Sequence, residues 1–145
     1  MPVWVRLRLR ARGGSREVEV SGKLNTGFSV GGQPLVRLPR KVAVDLGLDV
    51  ERPAGTIDAL DAGGRRLQVL VLGAVEVKAV APDRETGWVE ALAVYTGGDS
   101  VLLSDALMEE LGLVAERPRS GLWRFVDEPP TKLRESATEE RWPEA

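Results

Sequence analysis

Leu24-Asn25-Thr26-Gly27-Phe28-Ser29 is followed by a short helical stretch ending Asp45-Leu46-Gly47-Leu48, and the chain repeats this design further on. The second version is Val101-Leu102-Leu103-Ser104, then Leu107-Met108-Glu109-Glu110-Leu111-Gly112-Leu113. Each has an apolar strand, a small-residue turn and a short helix stopped by glycine, the residue that tolerates the left-handed conformation at a helix end. Between the two lies Asp61-Ala62-Gly63-Gly64, a hairpin tip.

Outward from these segments the chain reads as β. Val3 to Arg10 alternates apolar residues with arginine for most of its length, the period of a half-buried strand. Arg12-Gly13-Gly14-Ser15 is a turn, and Glu17 to Val20 resumes the alternation, so a hairpin is expected. A short strand is predicted over Gln33–Leu38 and a helix from Pro39 to Gly47, with Val42 and Leu46 four apart. Strands follow at Thr56–Leu60, Arg66–Val80 and Trp88–Tyr95, then a helix over Asp105–Leu111 and a last strand at Leu122–Val126. Eight or nine strands with two short helices predict an all-β closed barrel.

Composition narrows the chemistry. The 145 residues include no cysteine and no histidine. That removes disulfides, thiol nucleophiles, Cys/His zinc sites and every dyad that uses a histidine base. Any enzyme here must work with carboxylates, hydroxyls, amines or a carboxylate-bound metal. A net charge of −2 argues against a dedicated nucleic-acid binder. The arginines of the first strand are expected to be its solvent face. Sixteen arginines against four lysines, with few Asn, Gln and Met, fit a thermophile, although a GC-rich genome gives the same bias. No run approaches the roughly 18 apolar residues of a membrane helix, and the first residues lack a signal-peptide core, so a cytoplasmic protein is expected. Residues 127–145 carry six acids, three bases and three prolines and little that is apolar. They read as an acidic tail beyond a domain over residues 1–126.

The ordered set of features resembles the retropepsin-like aspartic proteases, most closely their small archaeal and bacterial single-domain members, over about residues 3–126. The resemblance implies that Asn25, Thr26 and Gly27 occupy the catalytic turn. It places Phe28 and Ser29 at the edge of the cleft, and Asp61, Ala62, Gly63 and Gly64 in a flap that closes over a peptide. It implies a homodimer, a peptide or protein substrate, and no metal or cofactor. Two positions depart from the pattern: Asn25 stands where the family has its catalytic Asp, and Ser104 where it has Gly.

The first departure bears on activity. In the family two carboxylates share a proton, and the ionised one takes a proton from the attacking water. An amide can hold that water but cannot accept its proton. The chain as it stands is therefore expected not to cleave peptides. Asn25, the only asparagine, is open to several accounts. It is a replacement in an otherwise active endopeptidase, or the mark of a natural pseudoprotease that binds peptides, or an ordinary turn in an unrelated β-barrel; slow deamidation to aspartate is a further route to an acid there.

Overall fold

Strand β1 (Trp4–Ala11) points Val5, Leu7 and Leu9 inward, all fully buried, and turns Arg6, Arg8 and Arg10 outward. This is the period-two consequence of its sequence, seen in a computed structural model that describes residues 3–24, 32–60 and 63–144. The outward arginines meet acids on neighbouring strands. β2 (Glu17–Leu24) pairs antiparallel with β1 and brings Glu19 opposite Arg8. Arg6 and Arg8 both bind Glu19 at 3.1 Å, Arg10 binds Glu76 at 2.9 Å, and Arg12 binds Glu90 at 3.1 Å. The arginine stripe is thus a neutralised strand face, as its alternation predicts.

The remaining elements are β3 (Leu35–Arg37), α1 (Arg40–Asp45), β4 (Gly55–Leu60), β5 (Arg66–Ala79), β6 (Val89–Tyr95), β7 (Val101–Leu103), α2 (Asp105–Leu111), β8 (Leu113–Arg117), β9 (Leu122–Phe125) and β10 (Arg134–Glu135). The strand order β1-β2-β7-β3-β6-β5, with β5 returning to β1, closes a barrel of six strands. Closure removes the free edges that an open sheet would expose. Two pairings are parallel, β2 with β7 and β3 with β6; β3 and β7, which separate them, run antiparallel.

Long β5 serves two partners. Its second half pairs with β1, and its first half leaves the barrel with β4 as a hairpin, registered from Gly55↔Val71 to Leu60↔Arg66. A register shift between Val71 and Gly73 allows this change of direction, and Gly73 takes φ 148° there. A bulge of this kind bends the strand and resets which residues face inward. Leu72, Val75, Val77 and Ala79 fill the barrel. Val69 and Val71 instead pack outside it with Ile57, Leu35, Leu92 and Val94.

Gly22 marks the tightest point of the barrel interior. A Cβ there would lie 2.5 Å from Leu7 Cδ1 and 2.7 Å from Leu103 Cδ1. Both helices end as the sequence suggests, with Gly47 and Gly112 at positive φ. No helix among the described residues is long and apolar enough to cross a membrane.

Beyond Phe125 the chain departs from expectation. Instead of leaving the domain as a tail, it adds β10 to a small sheet ordered β10-β9-β8 and then crosses the barrel. Arg134 lies over the Trp123 and Phe125 rings and binds Asp83 at 2.7 Å and Glu128 at 2.5 Å. Further on, the Trp4 N–H donates to Ser136 Oγ and the Ala137 N–H donates to the Trp4 carbonyl. Glu140 accepts from Arg6 and from the Ser21 N–H, and the Trp142 N–H donates to the Asp99 carbonyl. The segment has almost no apolar periodicity because it docks mainly by charge and main-chain hydrogen bonds, with Trp142 alone of its apolar side chains packed against the core among the described residues. β8 is a strand that the sequence reading does not anticipate; of its five residues only Leu113 belongs to the Leu-Gly-Leu stop of the preceding helix.

Candidate functional site

The site is approached from the ends of two adjacent parallel strands. Gly22, Lys23 and Leu24 of β2 stand beside Val101, Leu102 and Leu103 of β7. Both strands run in the same direction, so the chain leaves Leu24 toward Asn25 next to where it leaves Leu103 toward Ser104. Asn25, Thr26, Gly27, Phe28 and Ser29 lie outside the described residues, as do Asp61 and Ala62. What the structure gives is the frame that carries them.

Ser104 holds one side of that frame. It is fully buried. Its Oγ accepts from the Leu107 N–H at 3.2 Å, which caps α2, and from the Leu35 N–H at 2.9 Å. Its own N–H donates to the Leu35 carbonyl at 3.0 Å. A single hydroxyl therefore ties α2, β7 and β3 together at the level where β2 ends. A glycine at this position would supply no acceptor for either N–H. Asp105, in the first turn of α2, has a carboxyl held above its ordinary value by burial and then by the nearby Glu109.

The β4–β5 hairpin supplies a second side. Its root is apolar: Val69 is buried, and with Ile57 and Val71 it closes on Leu35, Leu92 and Val94 on the outer faces of β3 and β6. Its far end carries Gly63 and Gly64, both exposed. Gly64 has φ 79°, and nothing lies within 4 Å of where its side chain would begin. Among the described residues, β4 and β5 pair with each other in register from Gly55↔Val71 to Leu60↔Arg66.

Between these sides runs a strip of outward-facing residues that sequence reasoning did not single out. Register places Trp4, Lys23, Leu102, Arg37 and Val94 in one row across β1, β2, β7, β3 and β6. Arg37 donates from Nε and Nη2 to the Ser100 carbonyl and from Nη2 to Ser100 Oγ. Its guanidinium lies flat against Gly98, where a Cβ would come within 2.5 Å of Cζ. Burial lowers the affinity of Arg37 for its proton, opposed by the more distant charge of Asp99. Lys23 continues the polar alternation of Glu17, Glu19 and Ser21 in β2, whereas Arg37 is a single cation in the short apolar β3. Only register shows them to be neighbours.

No family model, curated protein or solved structure matches this chain at a significant level.

Proposed function

We propose that the chain is a retropepsin-like aspartic endopeptidase scaffold that grips extended peptides at the Asn25-Thr26-Gly27 turn and lacks the base for hydrolysis. The observation that carries this reading is the parallel pairing of β2 with β7, which ends β2 at Leu24 beside Leu103, the residue before Ser104. The β4–β5 hairpin, rooted on the neighbouring β3 and β6, adds an arm of the kind that closes over a peptide.

One such turn forms half of a catalytic pair. Twofold pairing of two chains around it would supply the other half, since an isologous contact brings the same residue to the axis from both sides. With Asp at both positions, two like charges a few ångströms apart raise one carboxyl pKa, and the pair holds one proton between them. The ionised member then deprotonates water, and the protonated member hydrogen-bonds the scissile carbonyl. With Asn25 at both positions the carbonyl can still be hydrogen-bonded and the water still held, but no group takes the water's proton. Peptide binding without turnover is the function that follows, and Asn25 itself favours the second reading, a natural peptide-binding module.

The test is Asn25→Asp. The substituted protein should cleave peptides with a bell-shaped profile at acidic pH and be inhibited by a statine-type mimic of the tetrahedral intermediate. A folded, dimeric variant that cleaves nothing between about pH 3 and pH 7, the range in which such a dyad works, refutes the lost-base account.

A further inference from the structure

Lys23 and Arg37 flank Leu102 on one face of the barrel, one strand to either side. Two strand spacings separate their backbones, about 10 Å, and both side chains are long enough to close much of that gap. Neither has a carboxylate partner among the described residues. Lys23 makes no hydrogen bond or ion pair there, although it is half-buried. Arg37 spends Nε and Nη2 on the neutral oxygens of Ser100, and Nη1 has no acceptor among the described residues.

The nearby acids are committed elsewhere. Asp99 binds Arg141 at 3.2 Å, and Glu140 binds Arg6 at 2.7 Å and the Ser21 N–H. The contrast with the rest of the surface is instructive, because Arg6, Arg8, Arg10, Arg12, Arg40 and Arg84 each hold a carboxylate. Arg16, Arg52, Arg66 and Arg117 also have no carboxylate partner among the described residues, but they are exposed, and half-buried Lys78 lies over the Trp88 ring. Lys23 and Arg37 differ in being half-buried and in flanking one apolar residue, Leu102. Partial burial raises the energetic value of an anion placed there, since water no longer fully solvates the charge.

The strip has borders. The C-terminal segment covers Trp4 and reaches Ser21, two residues before Lys23 in β2, and Asp99, just before β7. The β4–β5 hairpin closes over Val94 and Leu35 on the other side. Lys23 stands one residue before Leu24, where β2 gives way to the Asn25 turn.

We propose that this strip selects acidic peptides, receiving a Glu or Asp side chain between Lys23 and Arg37 above Leu102. The inference rests on the reading of the Asn25 turn as the floor of a peptide cleft, and it names the substrate class of that cleft.

The experiment uses the full chain and three fluorescein-labelled decapeptides identical except at alternate positions, which carry Glu, Gln or Lys. Fluorescence anisotropy gives each dissociation constant at low and high salt. The Glu peptide should bind about three- to tenfold more tightly than the Gln peptide, the range between a screened and a partly buried charge-assisted hydrogen bond. The Lys peptide should bind most weakly, and salt should compress the differences. Lys23→Glu breaks no side-chain hydrogen bond or ion pair among the described residues, so it should fold, as circular dichroism will check, and should reverse the order. Arg37→Gln is the second variant, checked for folding by circular dichroism, and should reduce the preference for Glu. Equal binding of the Glu and Gln peptides, or an unchanged order in Lys23→Glu, overturns the acidic preference while leaving peptide binding intact. Failure of all three peptides to bind, together with no cleavage of any of them by Asn25→Asp, overturns the cleft reading and this inference with it.

Discussion

Replacing Ser104 by alanine removes one oxygen and should unfasten three elements. The hydroxyl accepts from the Leu107 N–H at the start of α2 and from the Leu35 N–H of β3. Loss of the cap costs about 1 kcal/mol. The Leu35 N–H is a separate cost, because Leu35 and Ser104 are both fully buried and a donor left there without an acceptor costs about 1–3 kcal/mol. The expected loss is therefore about 2–4 kcal/mol, a large fraction of the roughly 5–15 kcal/mol that holds a typical domain folded. At roughly 3–5 °C per kcal/mol for a chain of this size, the melting temperature should fall by about 6–20 °C. Urea unfolding followed by circular dichroism measures the change directly, with unchanged slope required so that the midpoint shift reports stability. Ser104→Gly should be at least as damaging, since it lacks the same acceptor and adds backbone freedom. A loss below about 0.5 kcal/mol, the size of an ordinary surface change, would mean that Leu35 finds another acceptor and that Ser104 does not bind the frame together.

Gly22→Ala should destabilise the barrel by about 1–3 kcal/mol through overpacking, because the new methyl meets Leu7 and Leu103 inside contact distance; a melting curve equal to that of the parent would show that the strands can part freely. Glu128 is held down to about 2, chiefly by its hydrogen bond to Arg134, and Asp83 is lowered by the same arginine. Depressed carboxyl values stabilise the folded state above the unfolded values and lose that contribution as pH falls through the folded ones. Stability should therefore drop from about pH 4.5 downward, and less steeply in Arg134→Gln; identical acid unfolding of the two proteins would refute the assignment. In Asn25→Asp the paired state should bind more protons than the separated chains, so its dimer should weaken as pH rises from about 4.5 to about 7.5, a range that brackets a raised carboxyl. The parent has no titrating group at that position, and equal pH dependence of the two dissociation constants, measured by sedimentation, would remove position 25 from the twofold axis.

The barrel was legible wherever one face of a strand was apolar and the other charged. β1 is the clearest case: Val5, Leu7 and Leu9 against Arg6, Arg8 and Arg10 specify both the strand and its orientation. In β5 the alternation was visible at Val69, Val71, Val75 and Val77, but the single residue added at Leu72 was not. Val69 and Val71 consequently lie outside the barrel, not within it with Val75 and Val77. A bulge shifts the phase without changing residue types, so periodicity alone cannot register it. The residues after Phe125 were misjudged for a related reason. Apolar content predicts what enters a core, whereas this segment is fastened by Arg134, Ser136, Glu140 and backbone groups that have no periodic signature.

The candidate site divides along the same physical line. Its turn could be located from Leu24-Asn25-Thr26-Gly27 and its hairpin from Asp61-Ala62-Gly63-Gly64, because small residues in fixed order are local features. Its charge could not, because Lys23, Leu102 and Arg37 are remote in sequence and become neighbours only through the β2–β7 and β7–β3 pairings. This separation matters for what Asn25 can mean. The amide abolishes proton transfer from water but leaves untouched every group proposed to recognise a peptide: Lys23 and Arg37, which have no carboxylate partner among the described residues, and the hairpin rooted on Leu35. Binding and turnover are thus carried by different residues. Restoring the acid at position 25 should change the rate of cleavage while leaving the order of preference among Glu, Gln and Lys peptides as it was. A chain in which Asn25→Asp altered that order would require the acid itself to contact the selected side chain, contrary to a cleft in which chemistry and selection occupy neighbouring but separate positions.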